Sequence, residues 1–289
     1  MFVITGATGN TGSIAAQTLL KAGKQVRVVV RSAAKAKALA EQGAEVVEAD
    51  LNDEPALTRA FQGAEGVFVL SPPDMTLTDF LGERKKLTDR LARVTQAAGV
   101  QHVVFLSSVG AQHSAGTGMI RSTHAGEQAL RGTGLPVTFV RAAYFMENWG
   151  AVLHPVQADG VLPTFIAAKK AIPMVATRDI GKCVAQALLD GPRGTRIIEL
   201  RGPADVSPEG VAAAFAKILG RDVKVAEAPL EAVVPTFISF GISENVAGLF
   251  RELYEGVANG KVDYEGGQAE RQHGSTTIEE ALRTLTGKQ

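Results

Sequence analysis

The sequence predicts an α/β protein built on a doubly wound parallel sheet, with a smaller and mostly helical domain beside it. Three observations predict this class. Short apolar runs alternate with helix-forming segments, a glycine-rich turn follows the first apolar run, and the alternation ends after Arg141. Alternating strands and helices favour a parallel sheet with right-handed crossover connections.

The first half of the chain supplies most of the predicted sheet. Apolar or β-branched runs indicate strands at Phe2–Thr5, Gln25–Val30, Glu45–Glu48, Gly66–Leu70, His102–Leu106 and Val137–Val140. Helical patterns indicate helices at Ile14–Leu20, Leu77–Ala98 and Thr123–Arg131, and a run of alanine, lysine and leucine without a breaker indicates one at Ala33–Ala40. A further helix is expected to start at Asp53-Glu54-Pro55, because proline is favoured at an early helical position.

After Arg141 the pattern changes, and Tyr144–Ala168 is expected to be irregular because it is rich in aromatic residues, proline and glycine. The remaining predicted elements are a helix capped by Thr177 that runs to Leu189, a last strand at Thr195–Leu200, and helices at Pro208–Leu219 (capped by Ser207), Leu230–Phe240 (with a kink at Pro235) and Glu244–Ala258. Residues 1–141 and 175–200 are therefore expected to form the sheet domain. Residues 142–174 and 201–289 are expected to form the smaller, substrate-binding domain.

Composition excludes several classes of protein. The chain has 289 residues, of which 45% are hydrophobic and 21% charged, so it can bury a core and is neither disordered nor collagen-like. The chain has 30 basic residues (lysine and arginine) and 30 acidic residues (aspartate and glutamate), so it lacks the basic excess of a nucleic-acid binder. We therefore expect no nucleic-acid partner.

The cellular setting is also predicted from simple features. A single cysteine, Cys183, excludes an intrachain disulfide. The N-terminus lacks a signal-peptide pattern, and no stretch approaches the roughly 18 apolar residues that span a bilayer. These features predict a cytoplasmic monomer or homodimer with no membrane partner.

A glycine motif, GxxGxxG, follows the first strand and opens the first helix. In this context glycines allow a tight turn and a close approach of backbone N–H groups to a pyrophosphate, which the helix N-terminus also attracts. The residues predicted to bind a dinucleotide here are Gly6, Thr8, Gly9, Asn10, Thr11 and Gly12. This predicts a dinucleotide-binding domain of Rossmann type, the alternative being an ordinary strand–helix turn that needs glycine.

The residue at the end of the second strand indicates which dinucleotide is bound. NAD binders place an acid there, about 20 residues after the turn, to bind the ribose 2′-hydroxyl. Here Arg31 takes that place, and no carboxylate occurs between Ala7 and Ala40. An arginine can pair with a 2′-phosphate, so NADP(H) is predicted, with Lys35 as a supporting cation. Alternatively, Arg31 is a solvated charge at a strand end.

Further cofactor contacts are expected at the carboxyl ends of later strands, where ligands of open parallel sheets bind. These candidates are Asp50, Leu51, Leu70, Ser71, Ser107 and Ser108. Asp50 would accept from the adenine amino group, or else make a local turn. The serines would contact the ribose or the nicotinamide, although serine is common at strand ends.

Several segments together resemble a known family. The segments are GATGNTG, VVVRS, EADLND, LSSVG, HAGEQALRGTGLPVTFVRAAYFMEN and IPMVATRDIGKCVAQALL. They resemble the NmrA-like group of atypical short-chain dehydrogenases, and within it the branch of NADPH-dependent quinone oxidoreductases and triphenylmethane reductases. The resemblance implies an extended Rossmann domain, a small helical substrate domain and NADPH. It also implies that His124 stands where most of the superfamily carries lysine.

The Tyr-xxx-Lys dyad of ketone-reducing and sugar-epimerising relatives is missing from the sequence. Four residues beyond the three tyrosines Tyr144, Tyr254 and Tyr264 lie asparagine, alanine and glutamine, and no lysine occurs between Lys86 and Lys169. Without a lysine to lower the tyrosine pKa, ordinary ketone reduction and epimerisation are disfavoured.

An electron-poor acceptor would need little protonation, so a quinone or similar conjugated aromatic is the predicted substrate. The candidate catalytic residues are His124, Tyr144 and Asn148, with Trp149, Phe165, Phe237 and Phe240 as possible aromatic walls. Alternatively, His124 caps a helix, and Phe237 and Phe240 build the core between the domains.

Two other functions remain open. One is a non-catalytic NADP(H) sensor of the NmrA type, which a missing dyad fits equally well. The other is an isoflavone-reductase-like enzyme, which would need a lysine in the region of His124. No group of residues has the spacing of a metal site.

Overall fold

The computed structural model describes residues 1–287. The strands are β1 (Phe2–Thr5), β2 (Val26–Val30), β3 (Glu45–Glu48), β4 (Gly66–Val69), β5 (Val103–Ser108), β6 (Val137–Ala142), β7 (Tyr144–Phe145), β8 (Val161–Thr164), β9 (Ile172–Val175), β10 (Thr195–Arg201), β11 (Asp205–Val206), β12 (Lys224–Glu227) and β13 (Glu270–His273). The helices are α1 (Asn10–Lys21), α2 (Lys37–Glu41), α3 (Glu54–Phe61), α4 (Phe80–Ala97), α5 (Arg121–Arg131), α6 (Leu153–Asp159), α7 (Thr177–Asp190), α8 (Pro208–Leu219), α9 (Val233–Ser239), α10 (Glu244–Ala258) and α11 (Ile278–Thr286).

Eight of the strands form one sheet in the order β13-β10-β6-β5-β4-β1-β2-β3, and every neighbouring pair in it is parallel. The strand order reverses between β1 and β4. In an open parallel sheet, a ligand binds outside the carboxyl ends of the strands at such a reversal. The topology therefore places the binding crevice beside the glycine turn that follows β1.

Helices cover both faces of the sheet, because neighbouring residues of a strand point to opposite faces. Ile4 packs in a core with residues of α1 and α7, such as Val184, while Val3 packs in a second core with α3 and α4. Helices α1 and α7 cross very closely, since a Cβ on Gly181 would lie 2.6 Å from the Cβ of Ile14. Burying each large apolar side chain contributes about 1.5–3 kcal/mol.

The smaller region contains a three-stranded sheet in the order β11-β9-β7 and a parallel pair of β8 and β12. Its core includes Met146, Trp149, Phe215 and Leu282, all less than 5% exposed. Among the described residues, no helix combines the length and the apolar character needed to cross a membrane.

The structure differs from the sequence predictions mainly in the second half. The segment Tyr144–Ala168, expected to be irregular, contains β7, a 3₁₀ segment, α6 and β8. The strand at Thr195–Arg201 is not the last: β13, assigned to the smaller domain, pairs with it at the edge of the large sheet. The polar sequence Glu270–His273 lacks the apolar run of a buried strand, because it forms an edge.

Several helix boundaries also differ from the predicted ones. Thr177 does not cap α7; the cap position is Ala176, and the Thr177 N–H and hydroxyl donate to Glu147 instead. The segment Leu230–Phe240 divides into a 3₁₀ turn and the short helix α9. The long helix α4 begins at Phe80 rather than Leu77, because the side chain of Asp79 accepts from the Gly82 N–H.

Candidate active site

The glycine turn after β1 shows two different uses of glycine. Gly6 has φ +62°, in the region that favours glycine. A Cβ on Gly12 would lie 2.3 Å from the carbonyl oxygen of Gly6, so only glycine lets α1 start this close to the turn. A Cβ on Gly9 would meet only that oxygen within 4 Å, at 3.4 Å. Packing therefore does not require glycine at Gly9, and the open space beside it fits a ligand that approaches the backbone.

The N-terminus of α1 is suited to an anion. Gly9 is the N-cap residue and offers no side-chain cap, and no acidic residue lies in the first turn. Uncapped N–H groups and the helix dipole together attract phosphate. Of the predicted contacts, Thr8, Gly9 and Asn10 are exposed, whereas the Thr11 side chain is 6% exposed, which leaves its backbone N–H as its contact. These features fit the pyrophosphate of a dinucleotide.

The loop after β2 carries the predicted 2′-phosphate site. Arg31 and Lys35 are exposed, and within residues 1–287 neither side chain forms a hydrogen bond or ion pair. Both cations are thus free for a ligand. The carboxylate of Glu48, at the end of β3, accepts from the Ala33 N–H at 2.5 Å in the same loop. Sequence reasoning missed Glu48, because no local motif connects it with a loop 15 residues earlier.

The candidates after β3 form a local turn. The Asp50 carboxylate accepts from the Asn52 N–H at 2.7 Å, which is the alternative that the sequence analysis left open. Its second oxygen has no hydrogen-bond partner among residues 1–287, and the residue is exposed. Leu51 packs against the second core, and its carbonyl oxygen accepts from Arg90 at 3.3 Å.

The candidates after β4 lie against the glycine turn. A Cβ on Gly6 would fall 2.8 Å from the Cδ2 atom of Leu70, so Leu70 borders the turn directly. The hydroxyl of Ser71 is buried and makes no hydrogen bond with any described residue. A buried polar atom without a partner is costly, and a bound ligand would satisfy it.

The two serines at the end of β5 have different environments. Ser107 is 3% exposed, and its hydroxyl donates to the Glu127 carboxylate at 2.6 Å. Arg141 donates to both oxygens of Glu127 at 2.8 Å. Ser107 therefore belongs to a buried network rather than to an open cleft, in contrast to its predicted cofactor contact. Ser108 is partly buried and donates to the carbonyl oxygen of Val109.

His124 lies in the first turn of α5, and its Nδ1 atom lies 2.8 Å from the carbonyl oxygen of Ala111. This contact assigns the proton of the neutral ring to Nδ1 and leaves Nε2 without a partner among residues 1–287. The loop that carries Ala111 is itself fixed by hydrogen bonds, since the Gly110 N–H and the Gln112 amide both donate to the Asp263 carbonyl oxygen. The orientation of His124 is thus set by backbone contacts.

Tyr144 and Asn148 flank the start of the smaller region. Burial, with the neighbouring Tyr254, raises the pKa of Tyr144 above its ordinary value, while a hydrogen bond with Asn148 acts against this. Burial also raises the pKa of Tyr254 to about 12. Both phenols therefore stay protonated near neutral pH and can donate hydrogen bonds.

Four rings pack into an aromatic cluster beside Tyr144. Phe237 stacks on Phe250 with centroids 4.3 Å apart, and Phe165 lies 5.5 Å from Tyr254 and 6.0 Å from Phe237. All four are partly exposed. Phe250 and Tyr254 were missed from the sequence, because aromatic residues four apart on a helix are typical of an ordinary buried face.

The remaining aromatic and reactive candidates differ in their exposure to solvent. Phe240 is 74% exposed, so the expectation that it builds the core was wrong. Trp149 is 4% exposed, and its indole N–H donates to the Met174 sulfur at 3.5 Å. Cys183 is buried, and burial raises the pKa of its thiol to about 12, which disfavours the reactive thiolate.

A parallel sheet whose strand order reverses beside an uncapped glycine turn defines a dinucleotide-binding protein of the Rossmann class. The chain belongs to the NmrA-like family, whose sequence pattern matches residues 1–282. The resemblance predicted from the motifs is therefore confirmed.

Three relatives illustrate the membership. The NAD(P)H azoreductase of Xenophilus azovorans is 27% identical over 88% of this chain and 86% of its own length. Quinone oxidoreductase 2 of Escherichia coli is 28% identical over 99% of this chain and 98% of its own. Its crystal structure with NADPH superposes with a TM-score of 0.83 at 26% identity, over 99% of this chain and 100% of that one. The triphenylmethane reductase of Citrobacter sp., solved with NADP(H), shares the fold with a TM-score of 0.82 at 22% identity, over 99% and 100% of the two chains.

Proposed function

We propose that this chain is an NADPH-dependent oxidoreductase that transfers hydride to a quinone or a similar conjugated aromatic acceptor without a Tyr–Lys dyad. The observation that carries the proposal is the partly exposed aromatic cluster of Phe165, Phe237, Phe250 and Tyr254 beside Tyr144. Flat aromatic molecules bind well to such walls by offset stacking. The activities named for the azoreductase and quinone oxidoreductase relatives support this class.

The residues that would hold NADPH are those of the glycine turn, Arg31 and Ser71. The turn and the N-terminus of α1 bind the pyrophosphate, Arg31 pairs with the 2′-phosphate, and the Ser71 hydroxyl supplies a donor or acceptor beside β4. When bound, NADPH supplies the hydride from its nicotinamide ring. The protein's contribution is to hold the acceptor ring against that position and to exclude water from it.

The acceptor oxygens would be stabilised by hydrogen-bond donors of the chain. The phenol of Tyr144 stays protonated because of its burial, and Asn148 lies close enough to act on its pKa. His124 has a free Nε2 that donates only when the ring is protonated, since Nδ1 is engaged by Ala111. Weak donors suffice for a quinone, because the negative charge that develops on reduction spreads through its ring.

The direct test is oxidation of NADPH, or separately NADH, by a small benzoquinone, followed as loss of the reduced-nicotinamide absorbance against a protein-free control. Saturable turnover that favours NADPH is the expected result. Tight NADPH binding with no turnover over a panel of quinones would overturn the proposal in favour of a non-catalytic sensor.

A further inference from the structure

Glu48 lies at the loop that is predicted to bind the 2′-phosphate, although it is 15 residues away from Ala33 of that loop in sequence. Glu48 is the last residue of β3, and it pairs in register with Val30, the last residue of the parallel strand β2. The two strands end at one edge of the sheet, so Glu48 lies beside the loop that begins at Arg31. Its Oε1 atom accepts from the Ala33 N–H at 2.5 Å.

The second carboxylate oxygen of Glu48 is available to a ligand. Glu48 is exposed, and Oε2 forms no hydrogen bond with the residues that the structure describes. The other exposed charges of the loop are the cations Arg31 and Lys35, while Lys37 is paired with Glu41 at 3.9 Å. One anion therefore shares the loop with two free cations.

Glu48 should affect the binding of the two nicotinamide cofactors in opposite directions. A ribose 2′-hydroxyl is a hydrogen-bond donor, and NAD binders satisfy it with an acid at the end of the second strand, whereas Glu48 would supply the acid from the end of the neighbouring strand β3. A 2′-phosphate is an anion, which a nearby carboxylate repels. Glu48 also occupies the Ala33 N–H, a backbone donor that would otherwise be free for a phosphate oxygen.

We propose that Glu48 is a specificity-determining residue: its carboxylate accepts from the 2′-hydroxyl of NADH and opposes the 2′-phosphate of NADPH. The inference rests on the proposed function, in that NADP(H) binds at this loop. The chain then binds both cofactors, and its preference for NADPH is the difference between the attraction of Arg31 and Lys35 and the repulsion of Glu48. Removing the charge of Glu48 should increase that preference.

The test is direct binding of each cofactor to Glu48→Gln in the full chain, measured by the fluorescence of bound NADPH and NADH and by calorimetry. Glutamine keeps an oxygen for the Ala33 N–H but carries no charge. The dissociation constant of NADPH should fall roughly three- to tenfold, the size expected for the loss of one exposed charge, while that of NADH rises because the amide nitrogen of glutamine cannot accept from the hydroxyl. The effect should shrink at high salt.

Glu45→Gln is the matched control, because Glu45 is an exposed glutamate on the same strand whose partner is Arg27 at 3.0 Å. This control should leave the ratio of the two dissociation constants unchanged. An unchanged ratio for Glu48→Gln, or an equal loss of affinity for both cofactors, would show that Glu48 only supports the loop and would overturn the inference. Failure of the native chain to bind either cofactor would instead overturn the proposed function.

Discussion

The Nδ1 atom of His124 lies 2.8 Å from the carbonyl oxygen of Ala111, and this contact leaves Nε2 as the ring nitrogen that can meet a ligand. A ring held from one side by the backbone has a defined tautomer and orientation. Because of this contact, we expect replacement of His124 to affect turnover more than cofactor binding.

His124→Ala should lower kcat with a quinone about ten- to a hundredfold. This is at or below the smallest rate effect usual for loss of a proton-donating residue, because a quinone oxygen needs little protonation. The dissociation constant of NADPH should change little. Steady-state kinetics and fluorescence titration separate the two effects, and the exposed His154 provides a control in His154→Ala. Unchanged turnover would leave His124 with a purely structural role.

Arg31→Ala should weaken NADPH binding about tenfold, the low end for a charge-assisted pair, because the residue is exposed. NADH lacks the 2′-phosphate and should lose little affinity. Fluorescence titration with both cofactors is the measurement, and the exposed Arg59, replaced by alanine, controls for loss of a surface cation. Equal losses for NADPH and NADH would contradict the 2′-phosphate assignment.

Gly9→Val should abolish binding of both cofactors while leaving the protein folded, because a Cβ there meets no protein atom closer than 3.4 Å and the side chain fills the space beside the turn. Gly12→Ala should instead lower the free energy of unfolding by about 1–3 kcal/mol or more, because its Cβ collides with the Gly6 carbonyl. Cofactor titration and urea unfolding distinguish the two variants. Retained affinity in folded Gly9→Val would contradict the role of the turn.

Glu127→Ala should destabilise the protein by about 3 kcal/mol, because it removes the main partner of the buried guanidinium of Arg141. In the native chain, burial by itself lowers the pKa of Arg141, but the bonds and charges of Glu127 and Glu265 raise it above its ordinary value. Because arginine stays protonated in proteins, the variant keeps a buried charge with fewer partners. Urea unfolding measures the loss. Glu83→Ala, which removes an exposed partner of Lys86, should leave the unfolding midpoint nearly unchanged, and equal effects of the two variants would refute the importance of burial.

Stability should fall on acidification because of His102. This residue is 1% exposed, and burial, with the charge of Arg196, lowers its pKa from 6.5 to about 4. Since the unfolded chain binds the proton more readily, the contribution of His102 is complete above the unfolded-state pKa and is lost as pH falls toward about 4.

In the pH range between the unfolded-state and folded-state pKa values of His102, this residue should lower the free energy of unfolding by about 1.4 kcal/mol for each pH unit of acidification. Urea titrations at several pH values measure the slope. His102→Gln should show a shallower slope than the native chain, whereas His154→Gln, at an exposed position, should keep it. Identical slopes for all three proteins would exclude His102 as the cause.

The sequence by itself determined the fold class and the position of the glycine turn, because both depend on local patterns. Apolar runs alternate with helices along β1 to β6, and Gly6, Gly9 and Gly12 are adjacent in sequence to the strand and helix that they join. Arg31 was also predictable, because its place is set by its distance along the chain from the turn. Such signals need no knowledge of long-range contacts.

The tertiary structure decided what lies across the crevice and at its edges. Glu48 reaches the Ala33 loop only because β2 and β3 end in register, and Ser107 points into a buried network only because Glu127 and Arg141 pack against it. Strand β13 is polar and joins the sheet through backbone hydrogen bonds, which no side-chain pattern records. Contacts between residues distant in sequence depend on register and packing, and these are set when the whole chain folds.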